Sequence, residues 1–282
     1  MAAQLIDGKA LSAEVRSRVR ARVQQPGRQV RLDAVLVGSH PSAELYAASQ
    51  ARTCDEAGIA YVLHRIDAES GFDQIAQRVI ALNQDERVRA IMVHLPLPQG
   101  VDVERVQSLI AATKDVEGVN PVNIGNVVYG RRSLVPCTAR AVIELIESCK
   151  RDLRGVPCVC VGASNIVGKP IAVLLMQAQA TVTSCNKHTH NASAIASEAD
   201  VLVVAAGVPH LVTAEWVRPG AIVIDVGIHR VKAADGVTNT IGDVHYESVR
   251  QRAGFVTPVP GGVGPMTVAM LLSNVVDACR EP

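Results

Sequence analysis

The sequence predicts an α/β protein of two domains built from parallel βαβ units. Three observations carry that expectation. Aliphatic strand-like runs alternate with amphipathic helical stretches in two successive series. Aromatic residues make up only 2% of a chain that is 48% hydrophobic, so its core is aliphatic, as in sheets covered on both faces. The 282 residues exceed one average domain and give each of two enough chain to bury a core.

In the first series Leu11, Val15, Val19 and Val23 recur at helical spacing, and Pro26-Gly27 ends that helix. A strand over 32–37 runs into G-S-H-P-S, and a helix over 44–56 is closed by Gly58. A strand over 61–66, a helix over 72–83, a strand over 90–95 and a short helix over 103–111 follow. Segment 113–126 has little periodicity and several turn formers, which marks the expected domain junction. A helix over 139–150 opens the second series, with strands over 156–161, 180–184, 201–205 and 221–226. A Gly/Pro-rich loop then precedes a last helix over 268–279, which can fold back onto the first domain. The expected division is therefore 1–118 plus 267–282 for one domain and 119–266 for the other.

Composition excludes several function classes. A net charge of +1 leaves no electrostatic footprint for nucleic acid or an anionic membrane. No apolar run is long enough to span a bilayer, and the first residues lack a signal-peptide core. The seven cysteines have no CxxC spacing, and Cys158 and Cys160 lie in an apolar strand; reduced, buried thiols in a cytoplasmic protein are expected. No metal site is expected, for no His/Cys cluster has zinc-like spacing.

The sharpest local signal is V-C-V-G-A-S-N-I-V-G-K-P, Val159–Pro170. An apolar strand ends in Gly162, a small polar turn follows, and Gly168 opens an apolar helix. Glycine lets the backbone approach a pyrophosphate, and the helix start offers free N–H groups. Close packing of strand on helix is the plainer use of such a turn. The next strand runs out at S-C-N-K-H-T, where Lys187 stands in place of an acidic residue. A carboxylate there would bind the ribose of NAD and repel a 2′-phosphate, whereas lysine favours NADP.

Four stretches together resemble one family, the bifunctional methylenetetrahydrofolate dehydrogenase/cyclohydrolases. They are G-S-H-P-S-A-E-L-Y (Gly38–Tyr46), V-H-L-P-L-P (Val93–Pro98), G-A-S-N-I-V-G-K-P (Gly162–Pro170) and T-P-V-P-G-G-V-G-P-M-T (Thr257–Thr267). The resemblance covers essentially the whole chain. It implies an α/β substrate domain, a Rossmann-like NADP domain, a folate cleft between them, and a homodimer. It also implies NADP contacts at Thr138, Gly162, Ala163, Ser164, Lys187 and Ile228. Tyr46 matches the tyrosine that stacks on the folate. His94, Leu95, Pro96, Asp115, Glu117, Pro260, Gly261 and Gly262 fall at substrate-lining positions.

The folate half departs from the family pattern. The catalytic lysine of Tyr-x-x-x-Lys is Gln50, the glutamine before the Leu-Pro-Leu turn is His94, and the pterin aspartate of K-D-V-D-G is Glu117. The string P-C-T-P reads P-C-T-A, with Ala139. Gln50, His94 and Tyr46 are thus the expected catalytic set. Hydride transfer needs no formal base, but cyclohydrolysis moves protons, and Gln50 has none to titrate. Either His94 has taken over proton transfer, or it is a neutral imidazole bonded to Gln50. The expected activity is an NADP-dependent dehydrogenase with cyclohydrolase weakened or lost. A paralogue acting on another reduced pterin or imine-like substrate, and a non-catalytic binding protein, are the alternatives.

Overall fold

The computed structural model describes residues 2–27, 29–131, 134–232 and 238–279. The chain begins with β1 (Gln4–Leu5), α1 (Gly8–Val23), β2 (Arg31–Val37), α2 (Pro41–Ala57), β3 (Ala60–Ile66) and α3 (Phe72–Gln84). It continues through β4 (Ile91–Val93), α4 (Val103–Gln107), α5 (Pro121–Val128), α6 (Cys137–Ser148), β5 (Pro157–Val161) and α7 (Gly168–Gln177). Then come β6 (Thr181–Cys185), α8 (Ala192–Ala196), β7 (Val201–Val204), β8 (Ile222–Asp225), β9 (His229–Lys232) and β10 (Thr238–Ile241). The last elements are α9 (Tyr246–Val249), β11 (Phe255–Val256) and α10 (Val263–Ala278). Among the described helices none is long and apolar enough to cross a membrane.

Two compact units result: Glu14–Cys137 with Ala269–Pro282, and Met1–Ala13 with Thr138–Val268. The first is built on a three-stranded parallel sheet, β3-β2-β4. Central β2 is buried at every position after Arg31, as a strand covered on both faces must be. Ile75 and Val79 of α3 pack on Val35, Val37, Ile91 and Val93. Helix α2 starts before its expected position because Pro41 occupies its first turn, where a fixed φ and a missing N–H cost nothing. Strand β4 is shorter than expected; Pro96 and Pro98, just beyond it, have no N–H for a ladder.

The second unit carries a six-stranded, wholly parallel sheet in the order β1-β11-β8-β7-β5-β6. Strands β7 and β8 are buried at every residue, which matches the continuous aliphatic runs of the sequence. Strands β9 and β10 form an antiparallel pair that the sequence reading lacks.

The units are drawn differently from the sequence division. Residues 1–13 join the six-stranded unit because β1 pairs with β11, through Gln4 N–H to Gly254 and Ile6 N–H to Val256. Residues 119–137 stay with the three-stranded unit. There the Asn120 amide bonds the Ser108 and Ile110 carbonyls, and Asn123 bonds Ala112.

Candidate functional site

In the six-stranded unit the glycine turn sits at the C-terminal end of β5. Gly162 has φ 115°, and a Cβ there would lie 2.0 Å from the Ala205 carbonyl oxygen. A Cβ on Gly168 would lie 2.0 Å from the Gly162 oxygen, so strand, turn and helix close on one another only with glycine at both positions. Ser164, Asn165 and Ile166 face solvent. Ser164 Oγ accepts from the Gly168 N–H at 3.3 Å, which orders the turn ahead of α7. The Lys169 and Ile171 N–H groups bond the Ser164 and Val167 carbonyls at 3.0 and 3.1 Å, so the turn is tied to the helix it opens.

Lys187 follows the end of β6. Asn186 shapes its turn: its side chain accepts from the His188 N–H at 2.9 Å, and its own N–H donates to Thr189 Oγ1 at 2.9 Å. Lys187 is exposed and, among the described residues, forms no ion pair. Ile228 follows β8 and is 68% exposed, an unusual placement for isoleucine and one that offers a flat apolar contact. Thr138 is half-buried in the first turn of α6, Pro260 is exposed, and Gly261 and Gly262 are buried in the loop before α10.

Sequence reasoning missed the brace behind this edge. The Asp225 carboxylate, at the end of β8, accepts N–H groups from Gly227, Asp243 and Val244 at 2.9–3.0 Å. Asp243 accepts from Ala206 and Gly207 N–H at 2.7 and 2.8 Å and lies 2.7 Å from His229 Nε2. Burial pushes the Asp225 carboxyl up to about 6 against these bonds. The string D-V-G-I followed by G-D was the available signal: two aspartates beside glycines at a strand end.

In the three-stranded unit the structure brings Tyr46, His94 and Glu117 together. Tyr46, on α2, sets its ring edge-on to that of His94, with centroids 5.7 Å apart. Burial, and after it the nearby Glu117 charge, raises the Tyr46 phenol. The Val93 N–H acts on the Glu117 carboxyl against the effect of burial, which places that group next to the His94 strand end. Burial and the Asp115 charge push Glu117 up to about 7.

Gln50 lies one turn beyond Tyr46 and is only 3% exposed, with its Nε2 directed to Cys54 Sγ at 3.6 Å. His94 is buried, and its Nε2 lies 2.7 Å from the Tyr61 hydroxyl. Tyr61 is therefore its partner, in place of the expected Gln50. Burial drives the His94 imidazole down to about 4, so it is neutral at physiological pH and a weak base, which counts against a proton-transfer role. Asp115 is buried and turned into its own loop, where it accepts from Gly118 N–H, Asn120 N–H and Asn123 Nδ2 at 2.7–3.1 Å. Leu95 and Pro96 are exposed on the turn beyond His94. Two buried side-chain atoms lack any partner among the described residues: His94 Nδ1 and Glu117 Oε2.

Comparison with known proteins gives one answer along the whole chain. A model of the tetrahydrofolate dehydrogenase/cyclohydrolase catalytic domain matches residues 6–117, and one of the family's NAD(P)-binding domain matches 136–282. The bifunctional protein FolD of Moorella thermoacetica is 44% identical, with all of both chains covered. The crystal structure of the bifunctional FolD dehydrogenase/cyclohydrolase of Campylobacter jejuni superposes with a TM-score of 0.93, at 38% identity and 99% coverage of each chain. The Trypanosoma brucei dehydrogenase-cyclohydrolase, solved with NADP and an inhibitor, gives 0.91 at 34% identity, covering 99% of this chain and 98% of that one.

Proposed function

The chain belongs to the tetrahydrofolate dehydrogenase/cyclohydrolase family, and from that premise we propose an enzyme whose two reactions have drifted apart in rate. It oxidises 5,10-methylenetetrahydrofolate to the methenyl form with NADP, while hydrolysis of the methenyl form to 10-formyltetrahydrofolate is weakened or lost. The observation that carries this reading is Gln50, buried one helical turn from Tyr46 with its amide on Cys54.

The two reactions ask different things of the pocket. Hydride transfer needs the methylene carbon and the nicotinamide held at roughly 3–3.5 Å. It leaves a delocalised cation and needs no general base. Tyr46 offers a half-exposed ring for a pterin to stack on. Water addition to the cation, by contrast, requires a proton acceptor with a pKa near the working pH. An amide at position 50 is not one.

For the cofactor, the Gly162–Ser164 turn would hold the pyrophosphate, Lys187 the 2′-phosphate and Ile228 an apolar face of the dinucleotide; NADP supplies the hydride acceptor. The protein mixed with methylene-folate is expected to form NADPH and to prefer NADP over NAD. Lys187→Ala should lower that preference about tenfold or more, the scale of one lost charge-assisted contact. A preference unmoved by the substitution would contradict the role given to Lys187. Nucleotide binding without any NADPH from methylene-folate would reassign the protein to another reduced pterin or to a binding role.

A further inference from the structure

We infer that His229 is a positioning residue for the dinucleotide: its ring ties the Gly227–Ile228 segment to the Asp243 carboxylate, and through it to the loop after β7. The inference rests on the reading above that Ile228 lies against NADP. His229 opens β9, and Ile241 of β10 lies opposite it. The chain then returns so that Asp243, two residues on, meets the ring, with Oδ1 2.7 Å from His229 Nε2. The Asp243 side chain is wholly buried, and that of His229 is 20% exposed. A carboxylate only accepts, so Nε2 is the nitrogen that carries the proton. The other oxygen, Oδ2, accepts from the Ala206 and Gly207 N–H groups at 2.7 and 2.8 Å. One carboxylate thus joins the strand that follows Ile228 to the loop after β7.

Ile228 is exposed, so core packing does not fix it; its two neighbours do. Before it, the Gly227 N–H donates to Asp225 Oδ1 at 3.0 Å. After it, the His229 ring donates to Asp243. There is little slack between these groups: a Cβ on Gly227 would lie 2.3 Å from Asp243 Cγ, and one on Gly242 1.8 Å from Asp225 Oδ2. The loop after β7 in turn abuts the glycine turn, for the Ala205 carbonyl is what a Gly162 Cβ would meet. The three segments follow the C-terminal ends of the parallel strands β5, β7 and β8, where open α/β sheets bind their ligands.

Among the described residues His229 supplies the one side-chain donor to either buried carboxylate; the remaining donors are backbone N–H groups. An apolar side chain in its place would keep Asp243 covered and leave Oδ1 without a partner, which is costly for a buried charge. It would do so beside Asp225, whose carboxyl the Asp243 charge already raises. Asp243 could then recover a partner only by turning, and turning it moves the Ala206–Gly207 N–H groups and frees the chain at Ile228. The role requires a donor at the reach of Nε2 and no positive charge, so glutamine can fill it and leucine cannot.

The test titrates the protein with NADPH, read by its fluorescence, and then measures KM for NADP and for methylene-folate separately. His229→Leu should weaken NADPH binding and raise the NADP KM about tenfold. Its kcat at saturating NADP and its KM for methylene-folate should stay within about twofold of wild type. His229→Gln should restore most of the affinity. Wild-type NADPH affinity in the Leu variant overturns the proposal. So does a Leu variant in which kcat and both KM values worsen together, or a Gln variant no better than Leu. If the Leu variant does not fold, His229→Ala decides, and wild-type NADPH affinity there overturns it. Ile228→Ala separates the two possible failures. NADPH affinity unmoved by that substitution means that Ile228 is no dinucleotide contact; a loss there with none in the Leu variant removes the role of His229 alone.

Discussion

Gly162→Ala is expected to abolish NADP binding and to destabilise the six-stranded unit. The added Cβ would lie 2.0 Å from the Ala205 carbonyl oxygen and 2.5 Å from its carbon, on backbone with φ 115°. Both neighbours are main chain of the loop after β7, so no flexible side chain can give way. A non-glycine residue in such a conformation costs about 1–3 kcal/mol, and forced overpacking adds about 1–3 kcal/mol. Relief is available only by opening the turn, which separates the α7 N-terminus from the end of β5 and distorts the segment proposed to hold the pyrophosphate. Urea denaturation and NADP titration should show a lowered midpoint and an affinity loss of about 10²-fold or more. A variant with unchanged midpoint and NADP affinity would mean that the turn is not closed as described.

Asp225→Ala is expected to be nearly as damaging, although Asp225 is given no contact with either ligand. Its carboxylate accepts three backbone N–H groups, those of Asp243 and Val244 in buried positions. Each buried N–H left without an acceptor costs about 1–3 kcal/mol, so the total approaches 4 kcal/mol on the order-of-magnitude scale. The loss would also free the Gly227–Ile228 segment and loosen Asp243, which holds the Ala206 and Gly207 N–H groups. Thermal unfolding should shift well below wild type, with a raised KM for NADP. Asp225→Asn retains one acceptor oxygen and should lose less. Equal stability of the alanine variant and wild type would show that the three N–H groups find other partners.

How far the sequence was legible depends on how local each signal is. The glycine turn could be read because Gly162, the polar turn and Gly168 lie within a few residues, and strand–turn–helix closure demands glycine there. The position of Lys187 just after β6 could be read from strand order alone. Helix α5 overlaps the expected junction because eight residues give almost no period, although Asn120, whose side chain caps the Val122 N–H at 2.8 Å, and Pro121 after it mark a readable start. Strands β1 and β11 have two residues each, and only their pairing across the chain defines them. The same limit governs the site. That Tyr46 and Gln50 share a helix face follows from spacing. That His94 meets Tyr61 instead of Gln50 depends on β2 lying between β3 and β4 in a particular register, with Leu32 opposite Tyr61 and Val35 opposite Val93. The Asp225–Asp243 brace depends on the chain returning to the end of β8 after β10. Charge states were the least legible, because burial set the titration of His94 and Glu117 and reversed the order their side-chain types would suggest.

The most direct measurement mixes the purified protein with methylene-folate and NADP and follows NADPH and methenyl-folate absorbance separately through one progress curve. Oxidation outrunning hydrolysis predicts that NADPH rises while methenyl-folate accumulates and decays slowly. NADPH rising with prompt formyl-folate and no accumulation of the methenyl form would contradict it, because a pocket with Gln50 would then hydrolyse as fast as it oxidises.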